Sequence, residues 1–570
     1  MVEPQRDHWF VDADSGLGLG VDEAERAVRS LAGALRARIP TTDTATTTSA
    51  RGEEVGDEAL VRVGVIARTS LEGALAILAV NEAGFVAVPV NWRWSASEAA
   101  RALRGSRVSA VLYDAHCVRL AASVLEDLDA CAGWRVRVES GASHRVALID
   151  ASGGSWTPTG AVEPTSARAG SLAVSRAIVF TSGTTSRTPK AVSLSRVAFA
   201  AQANAKVAAV GYGPRDVHLH CAPLSHVSGL CALCTALHSK ARRHIFLPAF
   251  VPEAFAAAAR THDATAVLAV PAMVAGLHAF LRNPSGANAL PFAGVRLALL
   301  GGDAVDGPVA AMAAAVFPRA RILATYGLTE ACSSVCFRLV AIAGAAIPPP
   351  PVPRGGQWVG RVAPHVQVAV LPHPQADAGA GEIAVRGPSV CAGYVRLAGL
   401  PTPQKNEEGE GWHRTGDLGY LAQPSGLVVC GRLSDAVRSG GESVYPSDAE
   451  RALLTHPAVA EACCFGAPHA ALGAQLIALV VLDRTHTWRG PWLPSLAAGC
   501  AVSAAAGMRA GTVDGLALRE HARGSGLAGF RAPRLVVATH EPLPRTALGK
   551  VRRTEVRRIV LQALALESKL

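Results

Sequence analysis

Short apolar runs alternate along this chain with alanine-rich segments of helical length, and this alternation constrains the fold more than any other feature. Three of the runs are Ala177–Phe180, Ala266–Val270 and Leu297–Leu300, each bounded by Gly, Pro, Ser or Asp. Runs of this length separated by helical segments are typical of parallel strands joined by crossover helices. The sequence therefore predicts an α/β protein whose sheets are mainly parallel.

The composition and residue pattern of the sequence change after about Gly431, where a smaller and more charged stretch of mixed α and β patterns begins. A chain of 570 residues also exceeds what one hydrophobic core usually supports. We therefore predict a large N-terminal domain over residues 1–432 and a smaller α+β domain over residues 433–570. Thr41–Asp57, which is polar, and Pro348–Pro353, which is proline-rich, are predicted to be irregular surface stretches.

Composition argues against two classes of partner. No stretch reaches the roughly 18 apolar residues that a membrane helix needs, and the best candidate, Gly73 to Val90, is interrupted by Asn81 and Glu82. The net charge of +10 arises from 55 basic and 45 acidic residues, and aromatic residues make up only 5%. No basic stretch is interleaved with aromatics, so we expect neither nucleic-acid binding nor a membrane span. A modest positive excess suits phosphate-bearing ligands.

The twelve cysteines show no disulfide framework, which indicates a reducing compartment. Cys231 and Cys234 form a Cys-x-x-Cys pair, but no second pair follows at zinc-site spacing. The segment around them, Leu230 to Leu237, is apolar. We predict that both are core thiols on a buried helix.

The stretch Thr181–Lys190 carries the first chemical signal, with the sequence Thr-Ser-Gly-Thr-Thr-Ser-Arg-Thr-Pro-Lys after a predicted strand. Hydroxyl and amide groups donate to phosphate oxygens, and a lysine offsets the phosphate charge. No Gly-Lys-Ser/Thr closes the stretch, so it is not a Walker A loop. Alone, a stretch so rich in Ser, Thr and Gly is more often an ordinary surface turn.

Further motifs follow in a fixed order and change that balance. In Tyr326–Glu330, the hydroxyl of Thr329 adjoins the carboxylate of Glu330, which could hold Mg2+ against phosphate oxygens. In Trp412–Asp417, the carboxylate of Asp417 could accept two hydrogen bonds from a ribose. The motifs are Tyr326–Glu330, Trp412–Asp417, Gly431–Asp435 leading into Gly440–Pro446, and Pro544–Lys550. Each alone could be structural, but their shared order favours one nucleotide-using enzyme.

With these motifs, and with Gly301–Ala304 and Gly381–Gly387, the chain resembles the adenylate-forming superfamily of acyl-CoA synthetases, adenylation domains and beetle luciferases from about Val61 to Val560. The resemblance implies that ATP, Mg2+ and coenzyme A convert a small carboxylic acid to its thioester through an acyl-adenylate. It implies catalytic roles for Lys550, Thr329 and Glu330, with Glu330 also the metal ligand. The implied cofactor-binding residues are Thr181, Ser182, Gly183, Thr184, Thr185, Lys190, Gly301, Gly302, Asp303, Tyr326, Gly327, Asp417, Arg432, Gly440 and Gly441.

The resemblance also implies that the C-terminal domain is mobile. In the family this domain swings about a hinge, so Lys550 would serve adenylation and Gly440 and Gly441 would line the pantetheine tunnel during thioester formation.

The chain departs from the family pattern in the phosphate loop and at the hinge. Ser186 and Ala191 replace glycines, one residue is inserted before Pro189, and Ser434 stands at a hinge position that is usually Asp or Lys. A weakly active nucleotide- or CoA-binding regulator is therefore an alternative to an efficient enzyme.

Several stretches resemble one branch of the superfamily, the plant-type 2-succinylbenzoate–CoA ligases of phylloquinone biosynthesis. They are Asn91–Ser95, Gly211–Gly213, His218–His220, Tyr326–Ser334 and the C-terminal insertion from around Trp488 to Arg531. An acid pocket is predicted at His226, Ser228, Gly229 and Met273; for His226 and Met273, simple packing against the sheet is the alternative. Other peroxisomal acyl-CoA ligases, for fatty, jasmonate-precursor or cinnamate-type acids, and a luciferase are the competing interpretations.

The final tripeptide, Ser568-Lys569-Leu570, has the form of a peroxisomal signal read by an import receptor. We therefore expect a peroxisomal location, and a chloroplast pool only by analogy with plant relatives.

Overall fold

The computed structural model describes most of the chain. The described residues are 9–39, 60–128, 131–139, 145–150, 155–156, 174, 176–181, 190–282, 290–352, 355–376, 379–391, 393–397, 407–408, 411–422, 426–440, 442–497, 500, 502–506, 512–527, 529–545 and 550–567. Thr41–Asp57 lies outside them, whereas residues 348–352 are described and irregular, as predicted for that part of the proline-rich stretch.

Within the described residues the helices are α1 (Val21–Arg38), α2 (Leu71–Glu82), α3 (Ala96–Gly105), α4 (Val118–Glu126), α5 (Arg196–Val210), α6 (Val227–His238), α7 (Pro252–Thr261), α8 (Pro271–Arg282), α9 (Gly307–Val316), α10 (Pro446–Leu454), α11 (Gly515–Gly524) and α12 (Arg553–Glu567).

The strands that precede residue 350 are β1 (Phe10–Asp12), β2 (Gly18–Leu19), β3 (Arg62–Ile66), β4 (Val86–Val90), β5 (Ala110–Tyr113), β6 (Ala132–Glu139), β7 (Arg145–Ile149), β8 (Ser155–Trp156), β9 (Ala177–Thr181), β10 (Lys190–Leu194), β11 (Val217–His220), β12 (Arg243–Phe246), β13 (Ala266–Ala269), β14 (Leu297–Leu300), β15 (Arg321–Leu328), β16 (Ser333–Ile342) and β17 (Ala345–Ala346).

The later strands are β18 (Gln357–Val362), β19 (Gln367–Leu371), β20 (Gly381–Arg386), β21 (Glu407–Glu408), β22 (Trp412–Ala422), β23 (Gly426–Arg432), β24 (Val437–Ser439), β25 (Glu442–Val444), β26 (Val459–His469), β27 (Gly473–Leu482), β28 (Thr487–Trp492), β29 (Ser503–Ala506), β30 (Thr512–Asp514) and β31 (Leu535–Thr539).

The chain divides into two compact units. The first comprises Met1–Pro348, Val362–Gln367 and Val385–His413, and the second comprises Pro349–Arg361, Val368–Ala384 and Arg414–Leu570. The second unit therefore contains the segments 349–361 and 368–384 in addition to the C-terminal part of the chain. The domain division predicted between residues 432 and 433 stays a prediction.

Two sheets form the first unit. One runs in the order β16-β15-β14-β13-β11-β12-β1-β2, and its strands β11 to β15 are mutually parallel. The other runs β10-β9-β4-β3-β5-β6-β7-β8, with β9, β4, β3, β5 and β6 parallel. The predicted α/β class with parallel-rich sheets is confirmed, and the three predicted strands are present as β9, β13 and β14.

The apolar run from Gly73 to Val90 lies in the hydrophobic core. Helix α2 is buried along nearly its whole length, and β4, which follows it, is buried on both faces. The run from Gly73 to Val90 is thus a core helix and a central strand. Within the described ranges, none of the helices combines the length and the apolarity required to cross a bilayer. Cys231 and Cys234 lie buried on α6, as predicted.

The second unit contains mainly antiparallel sheets. One has the order β19-β20-β22-β23-β18, and the other has the order β25-β24-β27-β31-β28-β29, with β26 also paired to β27. Helices α10, α11 and α12 belong to this unit, so its α+β character is as predicted.

Candidate active site

Several predicted residues of the first unit lie at one edge of the sheet that contains β11 to β15. Because β11, β13, β14 and β15 are parallel, the segments after their carboxyl ends meet at the same edge, the usual ligand-binding edge of α/β sheets. His226 and Met273 follow β11 and β13, Gly301–Asp303 follows β14, and Tyr326–Glu330 ends β15. The topology therefore brings four sequence motifs together.

The Thr329–Glu330 motif sits on a short 3-10 turn between β15 and β16. Thr329 is buried and Glu330 is half-buried. At Gly327 the backbone of β16 approaches so closely that an added Cβ would lie 1.4 Å from the Ser333 carbonyl oxygen, so only glycine fits. After the turn, Cys332 and Ser333 both adopt positive φ angles, 54° and 104°, which are strained for side chains of this kind.

The two ends of the predicted phosphate loop lie directly opposite each other. β9 and β10 are antiparallel, and their register pairs Thr181 with Lys190. The loop therefore begins and ends at one point, with the lysine at its base. Ser182, Gly183, Thr184 and Thr185 lie outside the described residues.

Tyr394, which sequence reasoning missed, links this lysine to the carboxylate. The Lys190 ammonium lies 4.8 Å from the centre of the Tyr394 ring, a cation–π contact. The Tyr394 hydroxyl donates a 2.8 Å hydrogen bond to Glu330 Oε1, and the Cys391 amide donates to the Glu330 carbonyl at 2.7 Å. The result is a Lys190–Tyr394–Glu330 chain that fixes the carboxylate beside the base of the loop.

The donor set around Glu330 fits Mg2+. A carboxylate with a neighbouring hydroxyl, at a half-buried position that solvent reaches, matches a cation that keeps several waters and takes one or two carboxylate ligands. Among the described residues no cluster of three or more His, Cys, Asp or Glu side chains is arranged to hold a metal by itself. A single protein carboxylate completed by phosphate oxygens is thus the arrangement that these residues can supply.

His226 has a local structural role in addition to its predicted one. Its Nδ1 accepts a 3.2 Å hydrogen bond from the Ser228 amide and lies 2.8 Å from the Ser228 hydroxyl, so it caps the N-terminus of α6. A Cβ at Gly229 would meet the Pro223 carbonyl oxygen at 2.2 Å, so glycine allows α6 to pack against the preceding loop. Met273 is half-buried and packs against the core around α8. Contact of these residues with an acid stays a prediction.

In the second unit, Asp417 and Arg432 face each other across β22 and β23. Arg432 Nε lies 2.8 Å from Asp417 Oδ1, and the Asp417 side chain is 6% exposed. The part of β22 that carries Asp417 is held by Glu382, which pairs with Arg414 at 2.6 Å and accepts from the Gly416 amide at 3.1 Å. Two residues predicted separately as nucleotide ligands thus form one charged pair.

Lys550 lies at the start of the last helical segment. It is exposed, and an antiparallel bridge between Arg545 and Val551 returns the chain beside it, whereas residues 546–549 are outside the described residues. Arg553 anchors the segment by bonding Glu450 and, at 3.2 Å, Asp435. Burial lowers the pKa of Arg553, but the two carboxylates outweigh it and raise that pKa above its ordinary value.

The predicted glycine loop of the second unit lies between β24 and β25. Gly440 is exposed, and its amide donates to the Leu472 carbonyl at 3.0 Å. Gly441 lies outside the described residues.

Comparison with known proteins identifies both parts of the chain. Residues 50–395 match the model of the AMP-binding enzyme family, and residues 448–550 match that of the AMP-binding enzyme C-terminal domain. The 2-succinylbenzoate–CoA ligase, chloroplastic/peroxisomal, of Arabidopsis thaliana is 32% identical over 514 residues, 85% of each chain. The 2-succinylbenzoate–CoA ligase of Bacillus cytotoxicus is 28% identical over 505 residues, 88% of each.

A solved structure shares the fold. It is the o-succinylbenzoate CoA synthetase of Bacillus subtilis in complex with an acyl-adenylate, with a TM-score of 0.67, 22% identity, and coverage of 98% of this chain and 96% of the other.

Proposed function

The chain belongs to the AMP-binding enzyme family and is an AMP-forming acid–CoA ligase that uses ATP and coenzyme A, and from this premise we propose that its acid is 2-succinylbenzoate. The observation that carries the proposal is the 32% identity to the Arabidopsis thaliana ligase over 85% of both chains. The product, 2-succinylbenzoyl-CoA, would serve phylloquinone biosynthesis.

In the first half-reaction, a carboxylate oxygen of the acid attacks the α-phosphorus of ATP, and pyrophosphate leaves with the bonding electron pair. Negative charge grows on the transferring phosphoryl group and on pyrophosphate. We assign the neutralisation of this charge to Lys190, Lys550 and the loop from Thr181 through Ser182, Gly183, Thr184 and Thr185. Mg2+ held by Glu330 would act as a Lewis acid on the phosphate oxygens.

The remaining predicted cofactor-binding residues are assigned to the ribose and to the adenine of the nucleotide. Asp417, oriented by Arg432, accepts hydrogen bonds from the ribose hydroxyls, and Gly301, Gly302, Asp303, Tyr326 and Gly327 form the adenine side. Their positions after β14 and at the end of β15 support this assignment, because a nucleotide usually lies across the carboxyl ends of parallel strands.

In the second half-reaction, the thiol of coenzyme A attacks the acyl carbon of the adenylate, and AMP leaves. Gly440 and Gly441 are proposed to line the pantetheine path. We further propose that residues 433–570 move between the two half-reactions, which would separate the two chemistries. His226, Ser228, Gly229 and Met273 are assigned to the acid pocket.

The experiment that tests this function uses the full chain with ATP, Mg2+, coenzyme A and a panel of acids. The panel contains 2-succinylbenzoate, a long-chain fatty acid, a jasmonate precursor and a cinnamate, with thioester, AMP and pyrophosphate measured for each. We expect the thioester of 2-succinylbenzoate and the highest kcat/KM for that acid. A higher kcat/KM for another acid refutes the substrate, and a wild type as inert as Lys550→Ala with every acid refutes the enzyme and favours the regulator.

We also propose a peroxisomal location, through recognition of Ser568-Lys569-Leu570 by an import receptor. These residues lie outside the described part of the chain. The Arabidopsis thaliana relative is named a chloroplastic/peroxisomal enzyme, which supports the peroxisome and a second pool in the chloroplast. A fluorescent fusion with and without the last three residues tests the signal; unchanged location after their removal would contradict it.

A further inference from the structure

A lysine is buried inside the first unit without an acidic partner. Lys206, on α5, is 1% exposed. Within the described part of the chain, its Nζ donates a 3.1 Å hydrogen bond to the Ser333 hydroxyl and forms no ion pair with a carboxylate. A buried charge that lacks an opposite charge costs several kcal/mol. An anionic group of a ligand would offset that cost.

Lys206 borders a small cavity. Its lining includes the polar residues Lys206, Tyr212, His218 and His220, the α6 residues Gly229, Ala232 and Thr235, and the apolar residues Leu268 and Leu299. Its volume is about 10 Å³. This is room for one water-sized group, such as a carboxylate oxygen, but not for an aromatic ring. The ring of an acid bound here would have to lie outside the cavity.

His218, another residue that lines the cavity, has a buried nitrogen. Within the described residues its Nε2 is buried and has no hydrogen-bond partner. Burial and the charge of Arg296 lower the pKa of His218 to about 3, so the ring is neutral at physiological pH. His218, His220 and His244 form a histidine stack with ring centres 5.4 to 6.4 Å apart. The stack supplies hydrogen bonds without charge, which leaves Lys206 as the cation that lines the cavity.

The cavity is tied to the catalytic turn. Ser333, the hydrogen-bond partner of Lys206, lies three residues after Glu330 and has a positive φ of 104°. The α6 face that lines the cavity begins at Gly229, next to the predicted acid pocket. Ser333 and α6 thus connect the cavity to the catalytic turn and to the predicted acid pocket.

We infer that Lys206 is the specificity-determining residue that binds the second carboxylate of a dicarboxylic acid, the one that is not adenylated. The inference rests on the proposed function, because it takes 2-succinylbenzoate as the acid and its succinyl-chain carboxylate as the one activated. The benzoate carboxylate then pairs with the ammonium of Lys206, and His218, in the neutral tautomer that carries its proton on Nε2, donates a hydrogen bond to the same carboxylate.

A thiol offers the competing partner for Lys206. Cys231 and Cys332 lie with sulfur atoms 3.6 Å apart in the same region. Burial opposes ionisation of Cys231, but the Cys332 hydrogen bond and the Lys206 charge hold the pKa of Cys231 below its ordinary value. If a Cys231 thiolate compensates the lysine, removal of the ammonium destabilises the fold. If the ligand compensates it, removal stabilises the ligand-free protein, because an unpaired buried charge disappears.

The test compares Lys206→Met with the wild type and with Lys240→Met, which removes an exposed lysine after α6. The acids are 2-succinylbenzoate and 4-oxo-4-phenylbutanoate, which lacks the benzoate carboxylate. For Lys206→Met we expect kcat/KM for 2-succinylbenzoate to fall about 100-fold and that for the monoacid to change less than about threefold, since only the diacid loses a charge-assisted bond. Lys240→Met should match the wild type with both acids.

Thermal unfolding without ligand gives the second measurement. Lys206→Met should unfold a few degrees higher than the wild type, and 2-succinylbenzoate should raise the Tm of the wild type alone. Equal losses of kcat/KM for both acids, or a lower Tm of the variant, overturn the role of Lys206 while 2-succinylbenzoate remains a substrate. A wild type that makes no thioester from 2-succinylbenzoate refutes the proposed function and this inference together.

Discussion

Replacement of Tyr394 by phenylalanine tests the Lys190–Tyr394–Glu330 chain directly. The variant keeps the ring over Lys190 and removes the 2.8 Å hydrogen bond to Glu330 Oε1. A hydrogen bond to a charged group contributes about 1.5–3 kcal/mol, and we take the lower end because both side chains are half-buried. A loss of about 1.4 kcal/mol in the transition state corresponds to a tenfold loss of rate.

Pyrophosphate release in the absence of coenzyme A, measured across a range of Mg2+ concentrations, isolates the adenylation step. We expect kcat/KM for ATP to fall about tenfold and the Mg2+ concentration for half-maximal rate to rise, because Glu330 is less well oriented as a ligand. Tyr420→Phe is the matched control, since its hydroxyl donates a 3.1 Å hydrogen bond to the Gly355 carbonyl and not to a proposed metal ligand. If the two variants have the same Mg2+ dependence, Tyr394 has no positioning role.

Three further outcomes are expected. Lys550→Ala should lower pyrophosphate release by about 100-fold or more, while thioester formation from a supplied acyl-adenylate stays within about threefold of wild type; equal losses in both assays would contradict the assignment. Asp417→Asn, which keeps the shape but loses the charge that pairs with Arg432, should raise the KM for ATP about tenfold and leave the KM for the acid unchanged, and equal changes in both would indicate a structural role. The histidine stack should make stability depend on pH: burial lowers the pKa of His218 to about 3 and holds those of its two neighbours well below the ordinary value. Below about pH 6.5 these histidines therefore bind protons in the unfolded chain but stay neutral in the native stack. The free energy of unfolding, measured by urea titration, should fall by about 4 kcal/mol between pH 7.5 and 5.5, and by about one third less in His218→Asn. A free energy of unfolding that does not change with pH would refute this.

The strands were predictable because their signal is local. β13 and β14 are short apolar runs bounded by turn residues, and burial on both faces of a parallel sheet requires that pattern. The gathering of Gly301–Asp303 and Tyr326–Glu330 at one edge also follows from the order of parallel strands.

The contacts made by Tyr394 and Lys206 were not predictable from local sequence. Tyr394 reaches Glu330 across 64 positions and Lys206 reaches Ser333 across 127, and nothing around either residue indicates such a partner. Lys206 sits in a helix whose alanine-rich sequence would equally suit an exposed lysine. The compact units are likewise discontinuous in sequence, since residues 349–361 and 368–384 join the second unit, so a change of composition along the chain cannot locate them.

The register of the β9–β10 hairpin has a consequence for how this family can vary. Thr181 pairs with Lys190 and the next four residue pairs follow without a shift, so the register of the two strands is set by pairs outside the loop. A residue added between these ends cannot shift the lysine along its strand without moving every side chain of β10 to the opposite face of the sheet. Loop length and lysine position are therefore independent variables, so insertions such as the one before Pro189 can accumulate during evolution, and loops of other lengths can be grafted here, without displacing the cation at the base.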